Sequence, residues 1–257
     1  MSARLEDAGD RMIVWNGNAQ MRGAITPEFY ATIQEAIANA ADPRIRAVVI
    51  TSDGDFFCAG GNLNAIIERA NLPEQERRDK IEELHDVIRA IRASPVPVIA
   101  AVKGGAAGAG VSIALACDFL IAEAGVKFTA AYVKAGLVPD GGLTAHLARA
   151  LPRQLAMEMC VLAQPVLSER LFDLGVVNIV ANDAQGVIDQ AQALMDRIAL
   201  GPRGAQGKIR QMVATAYDQD EAAQLDLERD AMAFAFGTPE AQEGISAFLE
   251  KRAPKFS

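Results

Sequence analysis

Histidine, cysteine and tryptophan are scarce in this chain: two, three and one among 257 residues. With only His85 and His146, the sequence argues against a histidine-rich metal site, and no metal is expected. Cys58, Cys117 and Cys160 are odd in number and lie in apolar or glycine-rich surroundings without CxxC spacing. That excludes a disulfide framework and a zinc motif and leaves buried thiols. No apolar run reaches the roughly eighteen residues of a membrane-spanning helix, and no charged-then-apolar leader follows Met1, so a cytoplasmic protein without membrane contact is expected. Positive charge is short too. The formal net charge is −8, and no Lys/Arg cluster exceeds a pair, which speaks against nucleic acid as a partner.

What the chain has is apolar residues, 51% of the total, enough for one large core or a core with a helical appendage. The informative stretch is VIAAVKGGAAGAGVSIALACD, Val98 to Asp118. Its apolar, β-branched start reads as a buried strand. Gly104 to Gly110 is a loop nearly bare of side chains, and Val111 to Cys117 continues as an apolar helix. Free N–H groups at such a helix start suit a phosphate, a carboxylate or a developing oxyanion. A dinucleotide fingerprint fails at Ile113 and a P-loop fails at Val111. Tight helix-on-strand packing and an oxyanion site both remain open from this stretch alone.

Along the rest of the chain, Arg11 to Trp15 reads as a short strand. Thr26 caps and Pro27 begins a helix with Phe29, Ile33 and Ile37 on one face. Ala47 to Thr51 is a second buried strand, and Phe56 to Asn62 (FFCAGGN) a second bare loop whose Asn62 caps the next helix. Arg69 to Asp79 reads as a charged, mobile segment. A helix from Lys80 to Arg92 places Ile81, Leu84, Ile88 and Ile91 on one side. Phe119 to Glu123 is a strand, Lys127 to Gly142 is irregular, and Val138 to Gly142 is a turn. Beyond Thr144 the chain is mostly helical, with a strand at Val176 to Val180 and helices capped by Asp220 and Thr238. Strands alternating with helices, without hairpin dipeptides, give an α/β class. Glu158 is expected to face solvent, on a helix whose apolar face uses Leu155, Met159 and Leu162. Asp118 is expected to be structural and His85 to be a core or rim residue, while His146, which follows the Asp140 loop, is a minor candidate for substrate contact.

Two bare loops, each after a buried strand, are what two backbone N–H groups need to converge on one carbonyl oxygen. Here the chain resembles the crotonase, or enoyl-CoA hydratase/isomerase, family. The resemblance rests on AVVITSDGDFFCAGGNL, PVPVIAAVKGGAAGAGVSIALACD, KAGLVPDGG, LARALPRQLAMEM, SERLFDLGVV and EGISAFLEKRAPKF, which run in the family's order from about Ala47 to Phe256. Its motifs are most similar to the phenylacetyl-CoA isomerase and oxepin-CoA branch. The resemblance implies a spiral of ββα repeats over residues 1–195 with the oxyanion hole and CoA site, and a helical trimerisation region over residues 196–257. It implies a homotrimer or a dimer of trimers, an acyl-CoA thioester substrate, coenzyme A as part of that substrate, and no tightly bound cofactor.

By position in the motifs, Gly61 and Ala109 resemble the two oxyanion donors, while Ala59 and Gly60 resemble the backbone beside the adenine. Phe248 and Lys251 resemble residues that reach the CoA of a neighbouring subunit. Removing a proton next to a thioester carbonyl charges that oxygen, and each preorganised donor lowers the barrier by about 3 kcal/mol. The carboxylates therefore decide the reaction. Two glutamates that hold water in the family's hydratases correspond here to Ser112 and Tyr132, neither a carboxylate base. The carboxylate left is Asp140, which matches an aspartate used for proton shuttling by some members. Its neighbours Leu137, Val138 and Leu143 are expected to bury it and raise its pKa. An isomerase acting through Asp140 is the first expectation, a hydratase placing its water with Asp140, Ser112 and Tyr132 the second, and a silent CoA-binding member the third.

Overall fold

The computed structural model describes residues 2–256. Its chain runs β1 (Ala3–Asp7), β2 (Arg11–Asn16), α1 (Pro27–Asn39), β3 (Ala47–Ser52), α2 (Leu63–Ala70), α3 (Glu74–Ala93), β4 (Val98–Val102), β5 (Ala106–Ala107), α4 (Ala109–Ala116), β6 (Phe119–Glu123) and β7 (Lys127–Thr129). There follow α5 (Leu143–Ala150), α6 (Arg153–Leu162), β8 (Val166–Leu167), α7 (Ser168–Asp173), β9 (Ile179–Ala181), α8 (Ala184–Ala199), α9 (Arg203–Thr215), α10 (Glu221–Phe236) and α11 (Pro239–Leu249).

Alternate side chains of the central strands face opposite ways, and both sets are apolar. Val48, Ile50, Val98, Ala100 and Val102 join the main core with Phe29, Ile33, Leu84 and Ile91 from α1 and α3. Ala47, Val49, Ile99, Ala101 and Ile121 point the other way onto Val187, Ala191, Leu194, Met195 and Ile198 of α8. Burying each large aliphatic side chain contributes about 1.5–3 kcal/mol, so a charge at Leu194 would detach α8 from the sheet. The result is a six-stranded sheet, β1-β2-β3-β4-β6-β9, parallel except for the β1/β2 pair. A smaller sheet, β5-β7-β8, is extended by a parallel bridge from Cys58 to Ala106. The turns that start at β3, β4 and β6 each place one strand in the large sheet, a short extended segment in or beside the small one, and then a helix. This is the expected α/β spiral of ββα repeats.

The caps at Thr26, Asn62, Asp220 and Thr238 form as read, each side chain accepting a backbone N–H. Several boundaries differ. The first strand, β1, pairs antiparallel with β2 through Asp7-Ala8-Gly9-Asp10. Asp7 Oδ1 accepts from Gly9 N at 3.0 Å, a turn signal that the absence of hairpin dipeptides had hidden. The expected mobile segment from Arg69 to Asp79 is helical for most of its length. Glu74 and Glu76 sit in the first turn of α3, and Arg78 pairs with Glu74 one turn away at 2.7 Å. That half of α3 overhangs the core, so Ile81 is exposed and Val87 takes its place among the buried residues. Within Lys127 to Gly142, β7 and a short 3₁₀ turn at Ala131–Ala135 replace irregular chain. The strand expected at Val176 to Val180 shifts to Ile179–Ala181. Helix α6 buries Ala156 and Met159, while Leu162 faces solvent.

Candidate active site

The two bare loops meet, and their glycines explain how. An added Cβ on Gly110 would lie 2.3 Å from the Cys58 carbonyl oxygen, and one on Gly60 would lie 2.8 Å from Ala107 O and 3.1 Å from Ala109 N. Only backbone without side chains allows this approach. Cys58 O accepts from Ala107 N at 2.9 Å, tying the loop after β3 to the loop after β4. Gly108, at φ +52° and ψ −130°, turns the chain into α4 and donates its N–H to Thr129 O at 2.9 Å. Among the described residues, neither the Gly61 N–H nor the Ala109 N–H donates to a protein acceptor. Two free donors therefore flank the positive end of α4.

Ser112 stands three residues into α4 from Ala109, on the same side of the helix. Its hydroxyl is fully buried and donates to the backbone carbonyl of Asp140 at 3.0 Å. Tyr132, in the 3₁₀ turn, donates its phenol O–H to Asp140 Oδ1 at 2.8 Å. Gly141, at φ +60°, lets the Asp140 loop come close to α4: a Cβ there would lie 2.9 Å from both Ser112 Cβ and Leu84 Cδ2. The structure thus brings Gly61, Ala109, Ser112, Tyr132 and Asp140 around the first turn of α4, with Ala59 and Gly60 in the adjoining loop.

Burial pushes the Asp140 carboxyl above its ordinary pKa, opposed by the Tyr132 hydrogen bond and by the positive fields of His85 and Arg69. The source of that burial differs from expectation. Val138 is 81% exposed and Leu137 40%, so they do not cover Asp140, although Leu143 does point inward. The turn directs its own side chains outward, and the cover comes from α1, α3 and α4. Tyr30 is one residue sequence reasoning missed: it lies next to Phe29 but off the Phe29/Ile33/Ile37 stripe, and its phenol is raised by burial and by Asp140. A lone tyrosine beside a helical core stripe was the available signal. His85 sits at this rim, 3.4 Å from Glu82.

Other residues lie elsewhere. Phe248, in the last turn of α11, and Lys251, two residues beyond its end, are both exposed and are not brought to Asp140 within the chain. Glu158 is exposed as expected. Asp118 is structural: Oδ2 accepts from Val98 N and from the buried Arg210. His146 faces a cavity of about 530 Å³ that Cys117, Asp118, Arg210 and Tyr217 also line and that Asp140 does not reach. Burial and nearby arginines hold its pKa down to about 4. A second cavity, of about 730 Å³, lies among α9, α10 and α11.

The family described as enoyl-CoA hydratase/isomerase matches residues 18–257. The chain belongs to that family. It is 35% identical over 232 residues to a 1,2-epoxyphenylacetyl-CoA isomerase of Escherichia coli K12, covering 90% of this chain and 88% of the relative. It is 33% identical over 250 residues to a probable enoyl-CoA hydratase of Rhodobacter capsulatus, covering 96% and 92%. A crystal structure of an enoyl-CoA hydratase from Polaromonas sp. JS666 superposes with a TM-score of 0.95 at 39% identity, covering 99% of each chain.

Proposed function

We propose that this chain is an acyl-CoA isomerase in which Gly61 and Ala109 N–H hold the thioester oxygen and Asp140 moves the proton. The observation that carries the reading is the carboxyl of Asp140 beside the first turn of α4, where Ser112 and Tyr132 supply hydroxyls rather than carboxylates. Negative charge developing on the thioester oxygen is stabilised by two backbone donors more than the ground state is, each worth about 3 kcal/mol. Asp140 takes a proton from one carbon of the acyl group and returns it to another, so mass is conserved. The reaction class is movement of a double bond or reorganisation of an epoxide or oxepin ring, the second suggested by the Escherichia coli relative. The substrate reading is coenzyme A as part of the thioester, with the adenine beside Ala59 and Gly60 and no tightly bound cofactor.

Phe234, Phe236, Phe248 and Leu249 give α10 and α11 an exposed apolar surface. That surface supports a homotrimer or dimer of trimers, in which Phe248 and Lys251 reach a neighbour's CoA. Among the described residues, no helix is long and apolar enough to cross a membrane.

A hydratase is the second reading, favoured by the likeness to the Rhodobacter probable enoyl-CoA hydratase and the Polaromonas enoyl-CoA hydratase. Mass spectrometry after incubation with 2-enoyl, 3-enoyl and ring-epoxide phenylacetyl thioesters separates the two. An isomer of unchanged mass is expected. Addition of one water to the 2-enoyl thioester would replace isomerase with hydratase, and thioester binding without conversion of any would favour the silent member.

A further inference from the structure

The two hydroxyls facing Asp140 each have a single proton, and the geometry commits both. Tyr132 donates to Oδ1 at 2.8 Å, Ser112 donates to the Asp140 carbonyl at 3.0 Å, and the two hydroxyl oxygens lie 3.4 Å apart. Neither hydroxyl has a second proton to give. Oδ2 of Asp140 has no side-chain donor among the described residues. Gly141 packs the loop against Ser112 and Leu84, so the carboxyl cannot withdraw without opening that contact.

We propose that Tyr132 and Ser112 are positioning residues for Asp140: Tyr132 holds Oδ1, Ser112 holds the backbone beneath it, and Oδ2 alone carries the proton. This rests on the reading of Asp140 as the acid/base group. In the transfer, the C–H bond breaks, its electron pair enters the enolate, and the proton forms an O–H bond on Oδ2. The reverse step delivers that proton to the second carbon. Tyr132 keeps its own proton throughout, because burial and the neighbouring Asp140 raise its phenol far above its usual pKa. The charged and titratable groups around Asp140 are Tyr30 from α1, Arg69 from α2, His85 from α3 and Tyr132 itself.

The hydroxyl on Oδ1 favours the ionised carboxylate, while a hydroxyl on the carbonyl does not act on the carboxylate directly. The test is an infrared pH titration of the protonated carboxyl C=O band, assigned by its loss in Asp140→Asn and compared in wild type, Tyr132→Phe and Ser112→Ala. In Tyr132→Phe the midpoint is expected to move to higher pH, and in Ser112→Ala to stay in place. With whichever thioester of the panel is converted, Tyr132→Phe should lower kcat about tenfold while KM stays within about twofold. A Tyr132→Phe midpoint at or below that of wild type, in a variant whose thermal unfolding matches wild type, overturns the inference. Full turnover by Asp140→Asn would remove the acid/base reading instead, and the infrared arm distinguishes the two failures because it needs no substrate.

Discussion

Helix α4 has an aspartate against each end, and the two are held in opposite ways. At its C-terminal end, Asp118 meets Arg210, whose guanidinium also donates to the carbonyls of Ile91, Arg92 and Ser94. Near its N-terminal end, the Asp140 carboxylate accepts from the Tyr132 hydroxyl, and its backbone carbonyl accepts from Ser112 and from Leu143 N. Burial raises both carboxyls, but the largest opposing force is a cation at Asp118 and, at Asp140, a neutral O–H ahead of the weaker fields of His85 and Arg69. A guanidinium fixes charge and geometry together and ties α9 to the end of α3. A phenol orients the carboxyl yet leaves its proton exchangeable at one oxygen. The first arrangement suits structure and the second suits proton transfer.

Substitutions can break that contrast. The largest effect is expected from Asp140→Asn: turnover should fall by about 10²–10⁴, with thioester binding and unfolding temperature nearly unchanged, since the amide oxygen still accepts from Tyr132. Calorimetric titration alongside turnover tests this, and unchanged turnover would make Asp140 another structural aspartate. Arg210→Met should do the reverse. It strands Asp118 and three carbonyls, for a loss of about 3–5 kcal/mol in denaturant unfolding, with the residual folded enzyme retaining its kcat.

Gly110→Ala sharpens the comparison at the loops. Its Cβ would meet the Cys58 carbonyl at 2.3 Å, so stability should fall by about 3 kcal/mol, and turnover with it, as the two N–H donors are pushed apart. The smallest effect concerns pH. His146, near the Asp118 end, has a folded pKa of about 4 against an ordinary 6.5. The unfolded chain therefore takes up a proton that the folded chain refuses. Stability is full above about pH 6.5 and declines as pH falls toward about 4, by roughly 2 kcal/mol at pH 5 from this group. His146→Leu should flatten that part of the pH-stability curve, and an unchanged slope would assign it to other groups.

The sequence carried a good deal of this. The buried strands at Ala47 and Val98, the four side-chain caps and the absence of strands after Ala184 follow from composition and spacing, because these are local patterns. The start of α3 was not legible, since charged i,i+4 pairs without an apolar stripe look like loop until the helix is seen to overhang the core. Nor was the cover over Asp140: Leu137 and Val138 are its neighbours in sequence, but a turn points its own side chains outward.

By itself the sequence determined the α/β class, the two glycine-rich loops and the hydroxyl residues Ser112 and Tyr132 at the positions that match the hydratase glutamates, with Asp140 as the carboxyl nearby, since each is set by residue type at a given position; the spiral was implied by the family resemblance. Only the tertiary structure decided what Asp140 touches. Its partners Tyr132 and Ser112 lie 8 and 28 residues away, and Arg210 lies 92 from Asp118. Such partners are selected by close packing, here of Gly141 against Ser112 and Leu84, and packing between distant segments has no periodicity along a chain.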